Sequence, residues 1–383
     1  MAVPKLRFKE FNQEWKNIVL EEVAQVERGK FSARPRNDPK YFNGNIPFVQ
    51  TGDISNSDIF IEKYSQTLNE LGLTVSKLFP PNTILITIAA NIGDSAITKF
   101  SIACPDSIVG ILVRENLSNV YFLKNILDLK KKTLDSQATQ NAQKNINLQV
   151  LKPLEISIPT IDEQRKIANF LTAVDEKISQ LNEQHQLMIQ YKKGVMQKIF
   201  NQEIRFKDDN GEEFGEWEER TLGDISNPQQ WKTISSSDMT ESGYPVFGAN
   251  GYIGFYSEYN HENETITVTC RGATCGEVTL VKPKTYITGN SMSIDDIDEQ
   301  KYNVKFIYYA LCIRGFSDVI TGSAQPQIVG SSIKKVKFFV PCIKEQSEIA
   351  NFLTWVDQRI ENLAQQLEQV KTWKKGLLQQ MFV

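Results

Sequence analysis

One stretch of this chain occurs twice, and that repetition limits the possible folds more than any other feature. Ile158-Pro159-Thr160-Ile161-Asp162-Glu163-Gln164-Arg165-Lys166-Ile167-Ala168-Asn169-Phe170-Leu171-Thr172 returns as Val340-Pro341-Cys342-Ile343-Lys344-Glu345-Gln346-Ser347-Glu348-Ile349-Ala350-Asn351-Phe352-Leu353-Thr354. The offset of 182 then holds without a gap through Val174/Val356, Asp175/Asp357, Lys192-Lys193-Gly194/Lys374-Lys375-Gly376 and Phe200/Phe382. A long-period repeat is the mark of a structural unit used more than once. Whatever packs around the first copy must have a counterpart around the second.

The match fades upstream but persists. Ala142-Gln143-Lys144-Asn145-Ile146 faces Ala324-Gln325-Pro326-Gln327-Ile328 at the same offset. Phe11-Asn12-Gln13-Glu14-Trp15 resembles Phe214-Gly215-Glu216-Trp217, and Leu20-Glu21-Glu22-Val23 resembles Leu222-Gly223-Asp224-Ile225, at an offset of 202. The first copy therefore carries about 20 extra residues between its anchors, some of them expected near residues 59–74. The chain reads as variable region, repeated helix, variable region, repeated helix.

The repeated segment has the spacing of a coiled coil. Ile167, Leu171, Val174, Ile178, Leu181, His185, Met188, Lys192, Val195 and Ile199 follow alternating steps of four and three, and so do Ile349, Leu353, Val356, Ile360, Leu363, Leu367, Val370, Lys374, Leu377 and Met381. Neither run contains proline, and each follows an Ile/Val-Pro pair that forces extended backbone and lets a helix begin just beyond. About 38 helical residues make a rod roughly 55 to 60 Å long. Two arrangements satisfy the pattern: each helix packs on its own domain, or the two pair with each other, antiparallel pairing being easier to connect. Lys192 and Lys374 put a charge at the same seam position in both helices, and His185 stands where the second copy has Leu367. Such residues either fix register or mark a place where the helices splay or meet a partner.

In the variable regions, Ile84-Leu85-Ile86-Thr87-Ile88, Ile108-Val109-Gly110-Ile111-Leu112-Val113 and Thr265-Ile266-Thr267-Val268-Thr269 are β-branched runs bounded by turn residues and predict strands. Residues 120–132 and 305–314 predict short helices. The fold class is therefore α+β, with two mixed α/β domains separated by two long helices. Ile46-Pro47-Phe48 stands where Tyr244-Pro245-Val246 stands, residues 84–93 stand where residues 266–276 do, and Gly93 and Gly276 are expected to make turns that a side chain would strain.

Composition excludes several functions. Cys104, Cys270, Cys275, Cys312 and Cys342 are odd in number and lack C-x-x-C spacing, so reduced, mostly buried thiols are expected. With only His185 and His261 in 383 residues, no metal site is expected. Met1 to Lys5 leads into mixed polar sequence, and no apolar run approaches ~18 residues, so a cytoplasmic location is expected. Phosphate-cradling, dinucleotide, H-E-x-x-H and G-x-S-x-G patterns are absent, as is an Asn-Pro-Pro-Tyr-like tetrapeptide. Gly248, Gly251 and Gly254 read as a tight turn, and Asp298-Glu299-Gln300-Lys301 as a solvated loop.

What remains is polar loop chemistry of the kind that reads base edges: paired amide hydrogen bonds from Gln or Asn to adenine, Arg or Lys to guanine, and hydroxyls and lysines to phosphates. The candidates are Lys30, Arg34, Arg36, Gln50, Thr51, Asn91, Gln140 and Gln143 in the first region, and Lys232, Asn250, Arg271, Thr274, Gln325 and Gln327 in the second. A net charge of −3 runs against a lone DNA-binding chain, which normally offers a basic surface.

The order of pieces, with E-Q-x-x-I-A-x-F-L-x-x-V-D at residues 163–175 and again at 345–357, Ala-Gln-x-x-Ile before each helix, and Trp15 and Trp217 opening each region, resembles the specificity subunit of type I restriction-modification systems over the whole chain. The resemblance implies target-recognition domains over residues 1–155 and 204–338 and spacer helices over 156–203 and 339–383. It implies a non-catalytic subunit that binds double-stranded DNA with a two-part target, the paired helices setting the gap. It also implies two modification subunits that methylate adenine with S-adenosylmethionine, and restriction subunits that use ATP and Mg to cut DNA, those cofactors lying on the partners. A subunit serving a single polypeptide that both methylates and cleaves, and a coiled-coil scaffold that binds proteins only, are the alternatives.

Overall fold

A computed structural model describes residues 3–138, 145–322 and 324–382. It divides into two units, Met1–Gln180 with Leu367–Val383 and Leu181–Gln366.

In the first unit, strands Ala24–Arg28, Ile108–Val113, Thr83–Thr87 and Ser95–Thr98 form an antiparallel sheet, with Phe60–Ile61 added in parallel at its edge. Because side chains alternate along a strand, Ile84, Ile86 and Ile88 enter the core built with Phe122, Leu123 and Leu127 of helix Val120–Ala138, while Leu85 enters a second core with Val49, Ile54 and Phe79. A smaller sheet runs in the order Gln66–Leu68, Phe42–Phe48, Ile102–Ala103, Leu78–Phe79. The helix expected to end near residue 132 continues to Ala138.

The second unit repeats this plan. Asn227–Gln230, Ser291–Asp295, Thr265–Thr269 and Val278–Val281 make the larger sheet, and Ile266 and Val268 pack on Phe306, Ile307 and Leu311 of helix Val304–Arg314. Gly251–Tyr256, Tyr244–Gly248 and Tyr286–Ile287 make the smaller one. Here Gly248 pairs with Gly251 across a two-residue turn, which bears out the turn reading for those two glycines, whereas Gly254 lies within the strand opposite Val246. In the first unit the corresponding strands, Phe42–Phe48 and Gln66–Leu68, are joined instead by residues 49–65, which hold helix Thr51–Ser55 and strand Phe60–Ile61. The extra residues therefore begin about ten positions before the expected 59–74, because the hairpin they replace is closed so tightly in the second copy.

Each repeated segment is one helix, Ile161–Phe200 or Ile343–Met381, and each helix contributes to both units. In the first unit Ile167, Leu171, Val174 and Ile178 share a core with Leu377 and Met381 near the end of the other helix and with Trp15 and Phe122 of the α/β domain. In the second, Ile349 and Leu353 meet Met196 and Ile199 and also Trp217 and Phe306, and Val356 is fully buried. Leu181 is buried, whereas Ile360 and Leu363 are half-buried. Both arrangements allowed by the sequence thus hold together: the opening heptads pack on their own domain and on the closing turns of the other helix, which run in the opposite sense.

The repeated motif is a set of fastenings. Glu163, 1% exposed, accepts from Arg7 Nε at 2.7 Å and Nη2 at 2.8 Å and from Trp15 Nε1 at 3.4 Å. Glu345, 0% exposed, accepts from Arg205 Nε at 3.2 Å and Nη2 at 2.7 Å and from Trp217 Nε1 at 3.2 Å. A two-pronged guanidinium is what makes a carboxylate tolerable at such depth, and in return the carboxylate raises the Arg7 and Arg205 guanidinium groups above their ordinary range. Gln164 accepts from Ser118 Oγ and the Asn119 N–H and donates to the Pro159 carbonyl; Gln346 accepts from the Asn303 N–H and donates to the Pro341 carbonyl. Asp175 takes the Tyr121 hydroxyl and Lys374, and Asp357 takes the Tyr309 hydroxyl and Lys192. The seam lysines are paired across the two helices.

The cysteine expectation needs correction. All five are free, but only Cys104 and Cys270 are buried; Cys275 is half-buried, and Cys312, on helix Val304–Arg314, and Cys342, in the turn before the second long helix, are exposed as residues. Among the described residues, no helix is long and apolar enough to cross a membrane, and no group of three or more His, Cys, Asp or Glu side chains could hold a metal ion.

Candidate nucleic-acid interface

In each unit one short segment gathers the loops at the end of the sheets. In the first it is residues 103–108. Carbonyls of Ala103, Cys104, Ser107 and Ile108 accept from the N–H groups of Val49, Lys30, Ile88 and Gly29 at 2.8 to 3.0 Å. In the second it is residues 286–291: the Thr288 N–H donates to Phe247, the Cys270 N–H to Asn290, Gln230 Nε2 to the Gly289 carbonyl, Ser291 Oγ to the Gly248 carbonyl and the Tyr286 hydroxyl to the Lys232 carbonyl. The hub satisfies backbone groups that would otherwise be orphaned where strands end, and it fixes loops whose side chains are free to differ.

One turn completes each cluster. The Gly93 N–H donates to Thr87 and the Gly276 N–H to Thr269, and both glycines have positive φ, +85° and +91°, as the sequence predicts. The loops they close are bridged to the segment entering the long helix, Ala89 to Asn145 in one unit and Arg271 to Gln327 in the other. The paired residues differ by 182 at both positions, so the repeat extends into the loops.

The candidates fall into groups. Gln50 precedes helix Thr51–Ser55, and its backbone N–H is capped by Asp53 at 2.7 Å. Its side-chain amide reaches Gln66 at 2.9 Å, while Asn91 Nδ2 donates to Ser55 Oγ at 3.0 Å, so Gln50, Thr51 and Asn91 come together. In the second unit Thr274 Oγ1 donates to Asn250 Oδ1 at 3.0 Å, and the exposed Arg271 and Gln327 are joined through the backbone. Gln325, also exposed, lies on the same returning segment, its carbonyl close to Gly322. Lys30 and Lys232 are exposed and tied to the hubs by their backbones. Arg34 turns back onto the Ala33 carbonyl beside a cis Arg34-Pro35 bond, and Arg36 pairs with Asp106 at 3.0 Å; both are more engaged than the sequence suggested. Gln140 and Gln143 lie outside the described residues.

Some neighbours were missed. Arg28 Nε donates to the Asp106 carbonyl at the first hub. Lys131, on helix Val120–Ala138, packs against Gly93 and pairs with Asp94. Trp231, 38% exposed, Tyr252, 48%, and Phe255, 43%, edge the second cluster. A lysine run at residues 130–132 was the available signal for the first of these sets. The buried Cys270 thiol, donating to the Asn290 carbonyl, is held above its usual range by burial, so it remains neutral and polar rather than a nucleophile.

Each hub holds loops that carry amide, hydroxyl and cationic side chains, so the chain is a duplicated α/β protein with a corresponding loop cluster in each copy. A family model described as the type I restriction modification DNA specificity domain matches residues 12–190 and 215–372. The type I restriction enzyme EcoprrI specificity subunit of Escherichia coli is 23% identical over 374 residues, covering 94% of this chain and 91% of that one. The putative type I restriction enzyme MjaX specificity subunit of Methanocaldococcus jannaschii is 25% identical over 410 residues, covering 98% and 94%. A crystal structure of the type I restriction-modification system S subunit from M. genitalium matches with a TM-score of 0.66 at 20% identity, over 100% of this chain and 99% of that one. The chain belongs to the family of type I restriction-modification specificity subunits.

Proposed function

We propose that this chain binds double-stranded DNA at a two-part target, each α/β domain reading one half, and performs no chemistry of its own. The observation that carries the reading is a shared frame with different side chains: the bonds from Gly93 to Thr87 and from Ile146 to Ile88 recur as Gly276 to Thr269 and Ile328 to Cys270, while the side chains presented nearby differ, Gln50, Thr51 and Asn91 in one unit and Asn250, Arg271 and Thr274 in the other. Amides suit adenine and a guanidinium suits guanine in the major groove, so the two sets favour two different half-sites. The long helices set the gap between the halves and offer docking surfaces for two modification subunits, which supply S-adenosylmethionine-dependent methylation. Restriction subunits supply cleavage with ATP and Mg. The net charge of −3 assigns much of the phosphate neutralisation to those partners.

Competition binding tests this. Assembled with its modification subunit, the chain is expected to prefer a target duplex over a scrambled one by ~10³-fold or more at physiological salt. Equal binding to both would replace this reading with a protein-only scaffold.

A further inference from the structure

The apolar seam of the long helices is poorly able to choose its own alignment. Leu, Ile, Val and Met recur every three or four residues, and a displacement of one heptad sets one apolar residue against another. Along the seam itself, the Asp–Lys pairs object. Displaced by seven residues, Lys374 faces Ala168 or Asn182 instead of Asp175, and Lys192 faces Ala350 or Ala364 instead of Asp357. Asp175 then faces Leu367 or Met381. Each displaced charge loses its partner inside a seam where water is scarce: Lys374 and Asp175 are 20% and 12% exposed, and Lys192 and Asp357 are 22% and 37%.

Each pair also has a third member. Lys374 Nζ lies 2.5 Å from Asp175 Oδ1 while the other oxygen accepts from the Tyr121 hydroxyl on helix Val120–Ala138. Lys192 Nζ lies 2.5 Å from Asp357 Oδ1 while Oδ2 accepts from the Tyr309 hydroxyl at 2.7 Å, and the ammonium sits 5.2 Å from the Tyr309 ring centre. Burial and the neighbouring carboxylate push both phenols up, so each stays a donor throughout the working range. One carboxylate thus binds three helices: its own, the opposite long helix, and the helix on which the recognition sheet packs.

We propose that these two Tyr–Asp–Lys sets are positioning residues for target spacing: they hold the alignment of the long helices and the angle of each recognition helix on them, and so determine how sharply the gap between half-sites is discriminated. This rests on the two-part reading above. One base pair is ~3.4 Å along the duplex, so a joint that loosens by a few ångströms admits the neighbouring gap.

The test converts one set to plain seam, D175L/K374L. Replacing a buried ion pair by apolar residues is often neutral or stabilising, which offsets the loss of the acceptor for the Tyr121 hydroxyl, so the variant is expected to fold and to melt within a few degrees of the wild type. Complexed with the modification subunit, it should methylate the same half-sites but lose about tenfold in discrimination against gaps one base pair too long or short. The reversed pair, D175K/K374D, should regain most of it. Nitroxides carried on non-natural residues at the exposed positions Lys132 and Lys375 read the joint without DNA: a single narrow distance distribution in the wild type should broaden in D175L/K374L. Unchanged discrimination, or an unchanged distribution, overturns the proposal. If the wild type itself shows no two-part target, the DNA reading falls and the distance distribution alone decides the role of the joint.

Discussion

Arg271 and Gln327 are joined by an antiparallel backbone bridge that fixes the loop closed by Gly276 against the segment entering the second long helix. Ala89 and Asn145 are joined in the same way in the other unit. The scaffold therefore offers the same address twice, and at the first of the two bridged positions one copy presents a guanidinium where the other presents a methyl group. On the proposed function, that difference lets the two copies read different half-sites.

Arg271→Ala should leave folding and assembly intact, because its side chain is exposed and only its backbone is used by the bridge. The expected loss is ~1–3 kcal/mol of discrimination at one half-site position, seen as relaxed methylation of that half alone. An unchanged target methylated at an unchanged rate would remove Arg271 from the interface.

Arg205→Met should cost about 3–5 kcal/mol, because it strands Glu345, which is 0% exposed, without its guanidinium. Adding Glu345→Gln should recover part of the loss by removing the buried charge. Chemical denaturation of the two variants measures both effects; equal stability of the single and double variants would show that Arg205 acts through packing instead.

Replacing Leu171 and Val174 together by Asp should cost at least ~4 kcal/mol. Both are at most 5% exposed, and both serve the α/β core and the helix contact at once. Circular dichroism should show loss of helix and sheet together, whereas a purely interhelical role would leave the sheet signal in place.

Alkylation at neutral pH should modify Cys342 fastest and leave Cys104 and Cys270 untouched in the folded chain. Cys312 should react slowly although its residue is exposed, because burial of the thiol beside Tyr308 pushes it up to about 11. Its neutral form prevails below that value, so its rate should climb as pH rises toward it. Mass spectrometry of the labelled peptides gives the order.

The architecture was legible because the residues that build it must do the same work twice. Glu163, Gln164, Ile167, Leu171, Val174 and Asp175 each meet an equivalent partner in both units, so their identities recur at one offset. Arg7 and Arg205 were not recognised although Leu6-Arg7-Phe8-Lys9 recurs as Ile204-Arg205-Phe206-Lys207, because the offset there is 198, neither 182 nor 202. Lys192 and Lys374 looked like flaws in a seam until Asp175 and Asp357 were placed opposite them; spacing along one helix cannot show what faces it. The interface was the least legible part. Asn91 reaches Ser55, on the short helix that Gln50 precedes, at the end of the sheets where a hub of backbone bonds, which carries no side-chain signature, draws distant loops together.

Insertion of four residues into each long helix at the unit boundaries, after Gln180 and after Gln366, adds ~6 Å of helix, about two base pairs of duplex. The gap between half-sites is expected to change and the half-sites themselves to stay as they were; an altered half-site would contradict a separate spacer role.

The most direct test is to express the chain with its modification subunit in a host free of DNA methylation and map methyladenine across the genome by single-molecule sequencing. A two-part motif with one fixed gap is the predicted result. A folded, assembled complex that leaves the genome unmethylated, or that methylates a single uninterrupted site, would contradict it.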